Sequence, residues 1–414
     1  MRFTFFKNTL IKLLPLTILA CFSCGSQNNE PKDRVSENSV SLEKEIGILP
    51  GIYQTAQYLP LLKEKNVGIV ANPTSAFSED SPMIHLVDFL LSEGIEVTKV
   101  FSPEHGFRGK ADAGETVQDG KDPKTGLPIF SLHGKHRKPT ETHMKEIDIM
   151  VFDIQDVGVR FYTYLSTLHY VMEACAEAGI PLLVLDRPNP NSHYIDGPVM
   201  EMSHTSFLGL HPVPLVYGMT IGEYAQMING EGWLANKLRC DLTVIPVENY
   251  THKDSYHLNV RPSPNLPNDV AINLYPSLGL LEGTNLNAGR GSEMQFQIFG
   301  SPYLPSEKYS FQYTPKPNEG SKYPKFEGKL CNGLDLRETP KMKEIDLTWI
   351  IEAYKNYPKN ESFFNTNNFT KHAGTEVLQQ QIEEGLSMEE IRKTWTESLA
   401  NFKQVRKKYL LYED

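Results

Sequence analysis

The feature that most constrains the fold is a change of hydrophobic period between residues 147 and 179. Ile147, Ile149, Met150, Val151, Phe152 and Ile154 form a nearly unbroken apolar run, the pattern of a strand buried on both faces of a sheet. Polar groups crowd in where the run stops: Asp153, Gln155, Asp156, Arg160, Tyr162 and Tyr164. Leu165, Leu168, Val171, Met172 and Cys175 then recur at helical spacing, and Gly179 supplies a stop. In an open parallel sheet, ligands sit outside the carboxyl ends of the strands. Two carboxylates and an arginine at such an end are therefore a candidate site. The alternative is that Asp153 and Asp156 cap the following helix and pair with Arg160.

The same unit recurs along the chain. A strand over 67–71 breaks at Asn72-Pro73-Thr74. Ser81-Pro82 supplies a helix start for the stripe Ile84, Val87, Leu90 and Leu91. A strand over 97–101 stops at Ser102-Pro103-Glu104-His105-Gly106, and a short one is expected over 127–132. Residues 181–185 run into Asp186-Arg187-Pro188. Thr220 and Glu223 form a capping box for a helix to about residue 230, and 242–247 closes the series. This α/β order predicts a mainly parallel sheet over residues 45–250, with helices on both faces. Such a sheet brings Asn72, Glu104-His105, Asp153 to Arg160, and Asp186-Arg187 onto one edge. After residue 250 the texture changes. A proline-rich segment spans 261–268, Gly289-Arg290-Gly291 follows, residues 313–325 form a loop, and helices are expected at about 344–356, 374–384 and 388–408. Residues 251–414 are expected to form a smaller, mixed α/β C-terminal domain.

The chain of 414 residues is long enough for two domains, and its net charge of −10 argues against nucleic acid as a partner. Arg2, Lys7 and Lys12 flank an apolar run over 13–22 that is too short to span a bilayer. Ile18-Leu19-Ala20-Cys21 resembles a bacterial lipoprotein box, and Ser23-Cys24-Gly25-Ser26 is a second version of it. Residues 1–24 are thus expected to be a lipoprotein signal peptide, with Cys21 or Cys24 acylated, and 25–44 a flexible tether. The protein is expected to be exported and held in the cell envelope, touching the membrane through its lipid alone. Of the other cysteines, Cys175, Cys240 and Cys331, at most two can pair, so no disulfide framework holds the fold.

Several familiar mechanisms lack their parts. There is no phosphate-binding G-x-x-x-x-G-K-[ST], no H-E-x-x-H and no G-x-S-x-G. His133 and His136 have a possible ligand spacing but read as loop residues, so no metal and no cofactor is expected. What remains is a set of carboxylates in turns: Glu104 beside Pro103 and Gly106, Glu282 before Gly283, and Asp153 and Asp156 at the central strand end. Paired carboxylates are the equipment of glycoside hydrolysis, one as proton donor and one as nucleophile, base or orienting group.

Longer segments carry a resemblance. V-G-I-V-A-N-P-T-S, F-S-P-E-H-G-F-R-G, D-I-Q-D-V-G-V-R-F-Y-T-Y, V-L-D-R-P-N-P, R-P-S-P-N-L-P and L-Y-P-S-L-G-L-L-E-G-T-N, with the terminal Y-L-L-Y-E-D, resemble the exo-β-N-acetylmuramidases. The resemblance runs from about Val67 to the C-terminus. It implies a Rossmann-like N-terminal domain, a smaller C-terminal domain and a cleft between them. It also implies an exo-acting hydrolase that releases N-acetylmuramic acid from non-reducing ends of peptidoglycan fragments, with muro-oligosaccharides as its partners. On this reading Glu104 is the catalytic acid/base and Glu282 the second carboxylate, while Asp153 could instead orient the 2-acetamido group. Arg108, Arg160 and Arg290 compete for the lactyl carboxylate, with Arg290 favoured between its two glycines. Asn72, His105, Asp156, Tyr162, Tyr164, Asp186, Arg187 and Asn285 are the remaining expected substrate contacts. The family pattern G-R-G-T followed by P-F-E is replaced here by Ser292 and Gln295-Phe296-Gln297, and Gln297 is expected to touch substrate. A tethered sugar-binding lipoprotein without chemistry is the alternative, and it predicts the same fold.

Overall fold

The computed structural model describes residues 47–78, 82–108, 119–134 and 136–414. Cys21 and Cys24, the signal and tether segments, and the helix cap read at Ser81 lie outside the described residues. Nine strands fill the N-terminal part of what is described: β1 (Val67–Ala71), β2 (Ala76–Phe77), β3 (Ile84–His85), β4 (Val97–Ser102), β5 (Gly120–Lys121), β6 (Pro128–Ser131), β7 (Ile149–Asp153), β8 (Leu182–Leu185) and β9 (Leu242–Ile245). Seven form one sheet in the order β5-β6-β4-β1-β7-β8-β9. Every neighbouring pair is parallel except β5 against β6. Inward of that edge the strands come in the chain order third, second, first, fourth, fifth, sixth, which is Rossmann order.

Alternation along each strand explains the layers. Ile69, Ala71, Val151, Leu183 and Leu185 face one core, closed by the helices Thr55–Leu62 and Leu86–Ser92. Val70, Phe101, Phe152, Leu182 and Val184 face the other, against the helices Tyr164–Ala178 and Ile221–Gly230. Gly179 ends the first of these in the left-handed region (φ 66°), and Thr220 with Glu223 caps the second reciprocally. This second core continues into the C-terminal part through Leu274, Leu278, Ile350, Phe369 and Phe402. There, β10 (Ile298–Ser301), β11 (Phe311–Tyr313) and β12 (Cys331–Asp335) make an antiparallel sheet in the order β10-β12-β11, accompanied by helices.

The mainly parallel sheet and the smaller C-terminal sheet with helices agree with expectation, and three local readings change. The helix expected from Pro82 begins at Leu86, because Ile84 and His85 pair with Phe77 and Ala76 instead. The long terminal helix is two, Met388–Lys393 and Thr396–Arg406, joined at the buried Trp395. A helix over Asp269–Leu278 was concealed by Pro276, which reads as a breaker but sits near the helix end and passes into the 3-10 turn Gly279–Gly283.

His85 shows what capping by an imidazole entails. Its Nδ1 accepts the Val87 N–H at 3.3 Å and its Nε2 lies 3.0 Å from the Asn72 carbonyl, so the ring fits only when neutral. Burial pushes its pKa down to about 4. A folded-state pKa below the unfolded value gives stability that is present above about pH 6.5 and lost as the pH falls toward 4. We expect His85→Gln to remove a pH-dependent term of about 3 kcal/mol over that window, seen as the difference between urea unfolding curves of the two proteins. Parallel pH profiles would refute this role.

Candidate active site

Glu104 follows β4 by two residues, on a turn that bends sharply. His105 (φ 71°) and Gly106 (φ 83°) are consecutive left-handed residues, and the Gly106 N–H closes on the Pro103 carbonyl at 3.1 Å. A histidine there costs on the order of 1–3 kcal/mol and persists only where the surroundings impose it, which is typical of functional turns. Glu104 is half-buried, and its Oε2 accepts the Thr163 hydroxyl at 2.7 Å. Thr163 arrives from the polar run after β7, between Tyr162 and Tyr164, whose rings meet edge to face at 4.7 Å. Both tyrosine hydroxyls donate to the Pro262 carbonyl, at 2.6 and 3.3 Å.

Glu282 comes from the 3-10 turn Gly279–Gly283. Gly283 lets this turn lie on the helix Thr366–Ala373, since a Cβ there would be 2.3 Å from the Phe369 Cα. The Glu282 carboxylate accepts Arg290 Nε at 3.0 Å. Burial pushes its pKa up, but the charges of Arg290 and Lys325 outweigh burial and hold it below the usual carboxylate range. Lys325 is fixed beside it by the carbonyls of Thr284 (2.6 Å) and Leu286 (2.7 Å).

Glu104 and Glu282 line one cavity, as do His105, Tyr162, Tyr164 and Arg290. They are the two acids among the described residues of its wall. Of the three arginines weighed for the lactyl group, Arg290 is the one that lines it. Other lining residues were not singled out from the sequence: Thr163, Ser263, Asn265, Tyr275 and His372. The first four sit inside segments of the family resemblance, so their presence was signalled though their role was not. His372 lies in K-H-A-G, which carries no motif signal.

The remaining expected site residues are taken up by structure. Asp153 is fully buried and holds Arg187 through two bonds, at 2.5 and 2.9 Å, so neither lines the cavity. Asp156 accepts the Gly158 N–H at 2.7 Å and the Tyr217 hydroxyl, and burial pushes its pKa up to about 6. The Asn72 side chain donates to the Tyr164 hydroxyl at 2.9 Å and accepts from Thr74. Asp186 accepts from Thr220, Gly222 and Tyr412, which ties the terminal segment to the sheet. Arg108 pairs with Asp88 (2.9 Å) and Asp122 (2.8 Å), away from the cavity. Asn285 donates to Tyr357, and Gln297 accepts from Asn268 rather than facing a ligand. Of the two histidines read as loop residues, His133 lies by Phe207 and His136 by His143. Among the described residues no group of three or more His, Cys, Asp or Glu is placed to hold a metal.

Arg160, expected to bind an anion, is buried and donates to four backbone carbonyls: Pro198 and Val213 (both 2.9 Å), His372 (2.9 Å) and Ala373 (2.6 Å). Burial pushes its pKa down to about 9, so it remains charged at neutral pH. Arg160→Met leaves those carbonyls buried without donors, at about 1–3 kcal/mol for each such group. We expect a loss of about 3 kcal/mol or more in denaturant unfolding. A loss below about 1 kcal/mol would mean that the carbonyls find other partners.

Comparison with known proteins shows the family. Two family models match in succession: exo-β-N-acetylmuramidase NamZ, N-terminal, over residues 67–270, and its C-terminal counterpart over 273–412. Peptidoglycan β-N-acetylmuramidase NamZ of Bacillus subtilis (strain 168) is 39% identical over 380 residues, covering 86% of this chain and 89% of that protein. A crystal structure of a DUF1343 family protein from Bacteroides fragilis NCTC 9343 is 44% identical with a TM-score of 0.82, over 89% of this chain and 99% of that one. A second from the same organism is 28% identical with a TM-score of 0.76, over 88% and 99%. With both models matched in order, and a relative of this identity spanning most of the chain, the protein belongs to the NamZ exo-β-N-acetylmuramidase family of glycoside hydrolases.

Proposed function

We propose that this protein releases N-acetylmuramic acid from the non-reducing ends of peptidoglycan fragments, in the turnover and recycling of cell wall. The observation that carries this is the pair Glu104 and Glu282 on one cavity, contributed by different parts of the chain and held differently. Glu104 protonates the glycosidic oxygen as its bond to the anomeric carbon breaks. Glu282, kept ionised by Arg290 and Lys325, faces the positive charge that develops on the ring. Water supplies the hydroxyl that ends on the anomeric carbon, and its proton returns to a carboxylate. Arg290 is the cation in the wall nearest in kind to a lactyl carboxylate's needs. The family's chemistry and these two acids favour hydrolysis over simple sugar binding.

With a disaccharide carrying N-acetylmuramic acid at its non-reducing end, Glu104→Gln should bind but turn over about a hundredfold or more slower, the size expected for loss of a general acid. Wild type that binds the sugar and never cleaves it would favour the non-catalytic reading.

We also propose that the protein is exported and lipid-anchored through Cys21 or Cys24. Cells fed a labelled fatty acid should label the wild-type protein but not the Cys21→Ser, Cys24→Ser double variant. Equal labelling of both would sink the assignment.

A further inference from the structure

Asn265 lines the cavity, and among the described residues one of its side-chain polar atoms has no hydrogen-bond partner. Asn265 is 2% exposed; its Nδ2 donates to the Gly320 carbonyl at 2.5 Å, and its Oδ1 accepts no hydrogen bond. The Nδ2 contact fixes the amide orientation, so the bare atom is the acceptor. An unpaired buried acceptor costs about 1–3 kcal/mol, and a ligand donor recovers that cost on binding.

Three donors of the same lining are engaged elsewhere. Thr163 donates to Glu104, the Tyr162 hydroxyl to Pro262, and Arg290 Nε to Glu282. The wall also offers apolar surface: Leu266, the next residue, and Phe161 line the same cavity and are each 2% exposed. An acceptor beside an apolar surface matches a group that carries an N–H and a methyl together. A sugar hydroxyl offers a donor but no methyl. We propose that Asn265 Oδ1 accepts the N–H of the substrate's 2-acetamido group, with Leu266 beside its methyl, making Asn265 the residue that selects N-acetylated sugar. This rests on the proposed muramidase reading for the identity of the sugar.

Gly320 offers an independent handle on the same atom. It lies on the loop that crosses Asn265, and a Cβ there would come within 2.7 Å of Oδ1. Gly320→Ala therefore perturbs the acceptor from a neighbouring buried turn without removing a wall residue.

The experiment measures binding of free N-acetylmuramic acid and of 3-O-lactylglucose, which has a hydroxyl in place of the acetamido group, by calorimetry. The proteins are wild type, Asn265→Leu and Gly320→Ala. Wild type should prefer the acetamido sugar by about tenfold or more, and Asn265→Leu should bring the ratio below about twofold by weakening that sugar alone. Gly320→Ala should shrink the ratio in the same direction, and it decides the matter if Asn265→Leu fails to fold. An unchanged ratio in the variants, or no preference in wild type, overturns the proposal. Hydrolysis of the disaccharide is followed in parallel. Absent turnover with the binding preference intact would overturn the activity and leave the role of Asn265 supported.

Discussion

A buried guanidinium without a carboxylate partner joins the two walls of the cavity. Arg160 opens the run Phe161 to Tyr164 that forms one wall, and its NH2 takes the carbonyls of His372 and Ala373 from the helix behind the other. Those are among the last carbonyls of the helix Thr366–Ala373, which have no partners within the helix and carry the negative end of its dipole. The cation is thus matched to partial charges rather than to an acid. Gly374 ends the helix in the left-handed region (φ 76°), and a Cβ there would sit 2.5 Å from the guanidinium. The same helix supports the Gly283 turn that presents Glu282. Arg160 therefore ties together the segments that carry Thr163 and support Glu282, and it is not part of the cavity lining.

The two acids are poised by different means. Glu282 has a guanidinium at 3.0 Å and an ammonium close by, which favour its charged form against the cost of burial. Glu104 has a neutral hydroxyl donor at 2.7 Å on a strained turn. Environments that differ in this way can separate the roles of otherwise similar carboxylates, and for Glu282 the neighbouring cations favour the ionised form. Arg290 belongs to this balance through its bond to Glu282, so any anion drawn to it would compete for the charge that holds Glu282 ionised.

How far the sequence could be read follows from what each signal depends on. Strands β1, β7 and β8 are runs buried on both faces, so their positions show in composition alone, while β4 and the edge strand β9 keep apolar runs with partly exposed positions; parallel pairing then puts their ends on one edge. The convergence of polar clusters there was correctly inferred. Which polar group faces a ligand and which faces its neighbours depends on contacts from far along the chain. Tyr412 reaches Asp186 across 226 positions, and His372 meets Arg160 across 212. Local pattern cannot separate a carboxylate consumed by such a contact from one left facing a cavity. The family resemblance pointed to Glu104, Glu282 and Arg290, which do share the wall. It could not exclude Asp153, Asp156 or Asn72, whose residue types suit a sugar equally well.

The use of the Rossmann order explains why those exclusions fall where they do. Ligands in this topology normally occupy the crevice between the first and fourth strands, here β1 and β7. The chain itself narrows that crevice to a small cavity lined in part by Thr74, Gln155 and Arg187: Ser75 donates to the Asp153 carbonyl, Gln155 N–H to Thr74 at 3.0 Å, and Arg187 to the Asp153 carboxylate. Asn72-Pro73-Thr74 has no glycine to let a phosphate approach the backbone. The site consequently sits toward the end of β4, where the sheet offers a single acid, and its wall is completed by Tyr275, Glu282, Arg290 and His372 from the C-terminal part. A fold that elsewhere binds nucleotides at its own strand ends becomes a two-carboxylate site only with the second half of the chain in place, because the fully buried Asp153 of the first half is held by Arg187.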